Sequence, residues 1–144
     1  MSDNWFTADE ASELWKLMIG AYIGEGQFRR VFTLQNNDDL VIKVEQGRGE
    51  FHNIQEWRNW LEVQNTPLAK WFAPCVAISE NGRFLLQKRT VPVSIRELPK
   101  KVPACLTDRK TSNFGLLDKK VVCHDYAFMI FNFSARLIKP NFWE

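Results

Sequence analysis

The sequence is poor in the residues from which metal clusters, cross-links and membrane spans are built. It has two histidines, His52 and His124, and three cysteines, Cys75, Cys105 and Cys123, in 144 residues. The cysteines are odd in number and widely spaced. They form neither a zinc pattern nor a disulfide framework, so three buried free thiols are expected. Neither histidine has a Cys or carboxylate at ligand spacing other than the adjacent Asp125, which argues against a zinc site. No run of ~18 apolar residues exists, so no membrane span is expected. Charge of one sign is also missing: 19 Lys and Arg against 17 Asp and Glu leave a formal net charge of +2, too mild to argue for a nucleic-acid partner. The N-terminus, Met1-Ser2-Asp3-Asn4, lacks the basic and then apolar pattern of a signal sequence. With the free thiols, this points to a reducing cytoplasm.

What the chain has in abundance is large rings. Six Trp and 11 Phe within a 45% hydrophobic, 25% charged composition suit one globular domain with a ring-filled core. The surplus of aromatics is also compatible with a homodimer. Thr7-Ala8-Asp9-Glu10 reads as a capping box opening an amphipathic helix to about Ile19, which should pack on a sheet. Ala21-Tyr22-Ile23 enters a pair of glycines and Arg30 to Leu34 leaves it with strand alternation. Asn36 to Asp39 is turn chemistry, and Leu40 to Val44 is a β-branched run, so three antiparallel strands are expected. Glu50 to about Gln64 reads as a helix with Phe51, Ile54, Trp57 or Arg58, and Leu61 on one face. Leu68 to Phe72 reads as a short helical turn. Val76-Ala77-Ile78 and Phe84-Leu85-Leu86 flank Asn81-Gly82, a hairpin signal. Residues 90–103 carry three prolines and read as a connector. Phe114 to Cys123 reads as a second, small hairpin, and the aromatic tail from Phe128, with Phe131, Phe133, Phe142 and Trp143, should dock on the body.

Four fragments carry candidate chemistry. Gly24-x-Gly26 between two strands gives the backbone close access to a ligand, because glycine has no Cβ. Lys43 lies among Val41, Ile42 and Val44, where an unpaired ammonium is expensive to bury; taken alone it also fits an outward-facing lysine at a sheet edge. Asp108 and Asn113 stand five residues apart, the reach of one tight loop, and Asp125 follows Asn113 by 12 residues. Cys123, His124 and Asp125 are consecutive, and neighbours on a strand face opposite ways, so they make a poor catalytic triad. Arg29, Arg30, Lys88, Arg89, Lys100, Lys101, Arg109 and Lys110 read either as solvated surface charge or as a phosphate-attracting mouth.

In this order the fragments resemble the nucleotide-handling parts of the protein-kinase-like fold. The resemblance runs from about Ile23 to Ala127 and rests on Gly24-Glu25-Gly26-Gln27-Phe28-Arg29-Arg30-Val31, Leu40-Val41-Ile42-Lys43, Asp108-Arg109-Lys110-Thr111-Ser112-Asn113 and His124-Asp125-Tyr126. It implies an α+β fold: a kinase-like N-lobe of five antiparallel strands and one main helix over residues 1–89. Residues 90–144 would form a severely reduced C-terminal lobe with the connector, the catalytic-loop hairpin and the aromatic tail, the whole being one compact unit. It implies ATP and Mg²⁺ as cofactors. Gly24, Gly26 and Val31 would line the nucleotide, and Lys43 would hold its phosphates while paired with Glu56, for which Glu62 is the alternative. Asp108 would accept the acceptor hydroxyl's proton, Lys110 would contact phosphate, and Asn113 and Asp125 would hold the metal.

The chain departs from the family's pattern in several places. Arg29 replaces the third loop glycine and would either touch phosphate or narrow the site. Leu106 stands where protein kinases usually have His, and Asp125-Tyr126-Ala127 replaces Asp-Phe-Gly. With 19 residues after Asp125, no counterpart is expected here for the segments that follow in complete protein kinases. The Thr107-Asp108-x-Lys110-x-x-Asn113-Phe114-Gly115 stretch before His124-Asp125-Tyr126 resembles small kinase-like proteins of phages and prophages, which implies a host cytoplasm. Three functions follow from the resemblance. The first is a minimal phosphotransferase acting on a protein Ser/Thr or similar hydroxyl. The second is an inactive kinase-like protein gripping a host partner. The third, ranked last for want of a helical acceptor lobe, is a small-molecule kinase related to aminoglycoside kinases.

Overall fold

A computed structural model describes residues 8–47, 51–129 and 136–139. The chain runs through α1 (Ala8–Lys16), β1 (Ile19–Glu25), β2 (Arg29–Leu34), β3 (Asn37–Glu45) and α2 (His52–Val63). A 3-10 turn over Pro67–Trp71 leads to β4 (Cys75–Ile78) and β5 (Phe84–Lys88). Short strands β6 (Val91–Pro92) and β7 (Val102–Pro103) precede the hairpin β8 (Phe114–Leu117) and β9 (Lys120–Cys123), and β10 (Leu137–Ile138) follows. The α+β class expected from the sequence is what the chain adopts. Its main sheet is antiparallel with five strands in the order β1-β2-β3-β5-β4, and α2 is inserted between β3 and β4, the arrangement expected of a protein-kinase-like N-lobe. No helix among the described residues is long and apolar enough to cross a membrane.

Each hairpin has a local cause. Asn36, at φ 61°, turns β2 into β3, and β3 begins at Asn37, earlier than the apolar run alone suggests. Gly82, at φ 76°, sits where an added Cβ would lie 2.5 Å from Ile54 Cγ1, so both backbone and space demand glycine. Asp118 and Lys119 both adopt positive φ in the β8–β9 turn, as a two-residue hairpin loop of right-handed strands requires.

Two apolar clusters hold the molecule. One face of the main sheet packs Ile42, Val44, Phe84 and Leu86 under Trp15 of α1, whose ring stacks on Phe84 at 5.9 Å. The first helix therefore does pack on the sheet, while Leu14 and Leu17 remain exposed. Its expected cap, Thr7, lies outside the described residues, as do Phe131, Phe133, Phe142 and Trp143. The larger cluster joins Val63, Leu68, Phe72 and Leu85 to Val102, Leu106, Phe114 and Tyr126, so the chain before and after residue 90 shares one core. All three cysteines are buried and free.

The connector is not irregular throughout. β6 pairs with β8 and β7 with β10. Two-residue strands built on Val-Pro carry no periodicity to read. At α2, Phe51 and Leu61 are 65% and 45% exposed, while His52, Asn53, Glu56, Asn59 and Val63 are buried. The helix turns a polar stripe inward, because the interior it meets is charged.

Candidate functional site

That interior is an ion-pair cluster centred on Glu56, whose side chain is fully buried. Lys43 projects from β3 and donates from Nζ to Glu56 Oε1 at 2.5 Å. Lys43 also donates to the His124 carbonyl. Arg29, at the start of β2, lays its fork on the same carboxylate, Nη1 to Oε1 at 3.2 Å and Nη2 to Oε2 at 3.1 Å. The Tyr126 backbone N–H donates to Oε2 at 2.9 Å. A carboxylate stripped of water is stable only with its lone pairs filled, and here donors from β2, β3 and the 125–127 segment fill them. Burial alone raises the Glu56 pKa, but the Arg29 and Lys43 charges and their hydrogen bonds outweigh it and pull it down to about 2. Burial likewise works against the Arg29 guanidinium, and Glu56, then Asp125 and Glu45, more than offset it, so Arg29 stays charged.

One turn further along α2, Asn59 Nδ2 donates to the carbonyls of Tyr126 (2.8 Å) and Ala127 (3.3 Å). Glu56 and Asn59, three residues apart on one helix face, thus grip the segment that presents Asp125. The Tyr126 ring fills the core beneath, edge-on to Phe72 at 4.9 Å, with its hydroxyl donating to the Ala73 carbonyl at 2.7 Å. On the other side of Asp125, His124 Nε2 lies 2.7 Å from the Ser112 carbonyl and must donate to it. Nδ1 therefore accepts from Thr90 Oγ1, also at 2.7 Å. Burial and then the Lys43 charge lower the His124 pKa, which suits this neutral tautomer. The 108–113 loop is closed by Asn113 N–H to the Lys110 carbonyl at 2.9 Å and Asn113 Nδ2 to the Asp108 carbonyl at 3.4 Å.

Above these groups lies a cleft of about 860 Å³. Gly24, Gly26, Val31, Lys43, Asp108, Lys110, Asn113 and Asp125 all line it. The glycine-loop, lysine, catalytic-loop and metal candidates therefore reach one cavity, while Glu56 stands behind Lys43. Glu62 is exposed and is not the lysine's partner. A Cβ added at Gly24 or Gly26 would meet nothing within 4 Å, so protein packing gives no reason for either glycine. Of the basic residues, Arg29, Lys88, Arg89 and Lys110 line the cleft, whereas Arg30, Lys100, Lys101 and Arg109 are not part of its wall.

Arg29, expected to touch phosphate or narrow the site, does line the cleft, but it is 7% exposed, and its Nη2 also donates to Asp125 Oδ1 at 2.9 Å. Asn53 accepts from Nη1 at 3.2 Å and is itself held by Glu45, the Lys43 carbonyl and the Arg83 carbonyl. Asp125 is 51% exposed, so this second contact is at the cluster's wet edge.

Asn113 and Asp125 both line the cleft with oxygen-bearing side chains, the donor type a hard cation takes, and among the described residues no three His, Cys, Asp or Glu side chains group closely enough to hold a metal alone. An ion there would complete its shell from phosphate oxygens and water, the habit of Mg²⁺.

No protein-family model matches the chain, and no curated protein matches it. Among solved structures it is similar to the streptomycin-ATP-APH(2")-IIa ternary complex, with a TM-score of 0.47 and 19% sequence identity. The match covers 69% of this chain and 35% of the other, so the chain spans about a third of that protein's length.

Proposed function

We propose that this chain is a minimal kinase-like phosphotransferase that binds ATP in the cleft and transfers its terminal phosphoryl group to a hydroxyl, such as that of a protein Ser or Thr. The observation that carries this reading is the convergence of Lys43, Asp108, Lys110, Asn113 and Asp125 on one cavity, with Lys43 fixed by a buried carboxylate from α2. The bare backbone at Gly24 and Gly26 suits close approach of phosphates. Lys43 would orient them, and Lys110, exposed at the rim, would meet the transferring group. The acceptor oxygen bonds to the γ-phosphorus as the bond to the β–γ bridging oxygen breaks. ADP departs, and the hydroxyl proton passes to the Asp108 carboxylate. Asn113 and Asp125 would hold Mg²⁺, which when bound supplies positive charge to the phosphate oxygens.

Calorimetric titration with ATP, followed by a phosphate-transfer assay, tests the reading. Wild type is expected to bind. Lys43→Ala should weaken binding by about tenfold or more, the loss of a charged hydrogen bond. Asp108→Ala should lower transfer by about 10²–10⁴ while leaving binding intact. Equal transfer by wild type and both variants would refute the mechanism. A second reading, a nucleotide-binding protein that transfers nothing and grips a partner, is favoured by the occupation of Asp125 by Arg29. Binding without transfer to any hydroxyl acceptor would select it.

A further inference from the structure

We propose that Arg29 is the resident counter-cation of Asp125 and competes with Mg²⁺ for it, so that nucleotide uptake does not depend on the metal, which can hold Asp125 only after Arg29 lets go of it. The inference rests on the nucleotide site proposed above. Its first ground is charge. Lys43 and Arg29 are the cations in bonded contact with Glu56 and Asp125, with Glu45 a further carboxylate acting on Arg29, so Asp125 already has a bonded cation of its own. A divalent ion arriving at Asp125 would meet a guanidinium bonded to the same carboxylate, and like charges at that range repel strongly in a partly dry site.

The second ground is geometry. Arg29 has two anchors of unequal permanence. Its fork on Glu56 is buried and braced by Asn53, whereas its bond to Asp125 reaches a half-exposed carboxylate. Arg29 can therefore release Asp125 and remain paired, which makes the outer contact the exchangeable one. A lysine could not reproduce this. It is a single point charge without the planar fork that spans both carboxylates. The third ground is position. Arg29 follows Gly26 by three residues and closes the glycine turn, with the Gly26 N–H donating to its carbonyl at 2.9 Å, which places it between the loop and Asp125.

The test measures affinity for a non-hydrolysable ATP analogue by calorimetry, in EDTA and in Mg²⁺, for wild type, Arg29→Lys, Arg29→Gln and Asp125→Asn. Mn²⁺ binding in the presence of the analogue is read by electron paramagnetic resonance. Wild type is expected to bind the analogue within about threefold with and without metal. Arg29→Lys, which keeps a cation on Glu56, should bind the metal complex about tenfold more tightly than the free analogue, the equivalent of ~1.4 kcal/mol. It should also take up Mn²⁺ at lower concentration than wild type does. Arg29→Gln, if folded by circular dichroism, should behave alike, and Asp125→Asn should abolish the gain. A wild type already dependent on Mg²⁺ by tenfold or more, with Arg29→Lys unchanged from it, would overturn the inference and leave the nucleotide site standing. Failure of every protein to bind the analogue under either condition would overturn both.

Discussion

Replacing Glu56 with alanine removes the acceptor on which two cations and a backbone N–H converge. Lys43 would keep only the His124 carbonyl, and Arg29 would keep Asn53 and the half-exposed Asp125. Breaking a buried pair from one side leaves charge without compensation and costs about 3–5 kcal/mol. Natural domains are stable by about 5–15 kcal/mol, so the variant should retain a fold but lose a large share of its margin. At about 2–4 °C per kcal/mol for chains near this size, the melting temperature should drop by roughly 10–15 °C. Glu56→Gln, equal in volume but uncharged, should fall between the two. The pH dependence provides an independent arm. The native Glu56 pKa of about 2 lies below the ordinary value of 4.5, so between these values the unfolded chain binds more protons than the native one. Stability is fully present above pH 4.5 and is lost as pH falls toward 2, by about 3 kcal/mol in all. Urea denaturation across pH 2–6, run on wild type and Glu56→Gln, isolates that component, which the variant should lack. A Glu56→Ala protein melting within about 2 °C of wild type, with the same acid limb, would refute the cluster as described.

Two further outcomes are expected. Gly115→Ala would place a Cβ 2.4 Å from Thr90 Oγ1 and 2.9 Å from the Val91 carbonyl. It should cost about 1–3 kcal/mol in chemical denaturation by prising β6 from β8. The thiols should resist labelling in native protein at pH 8 and react in urea: burial raises all three, with Cys75 pushed up to about 12 and Cys123 well above its ordinary value. Rapid native labelling would contradict that burial.

The parts legible in the sequence are those whose cause is local. Lys43 stood out because its neighbours are apolar, Asp108 and Asn113 because one loop sets their spacing, and the Asn81-Gly82 turn because glycine is needed there. The ion pairs of Arg29 were hidden because its bond to Asp125 joins residues 96 apart. The buried polar stripe of α2 was hidden for a related reason. Hydrophobic periodicity finds the stripe that meets an apolar core, and this helix meets ions. Asn59 and the His124 bridge carried no signal at all, since their partners are backbone carbonyls and a threonine that no spacing singles out.

The His124 bridge has a mechanical corollary. Its imidazole pins Thr90, at the end of the main sheet, to Ser112, while β6 is sewn to β8 and Lys43 is tied to the His124 carbonyl. A cleft stitched along its back on three lines does not gape like a jaw. Its opposite wall is the β1–β2 hairpin, whose tip residue Phe28 rests on His52 at 4.2 Å and meets Phe128 edge-on at 6.2 Å, so two rings clasp that hairpin from outside the stitched back.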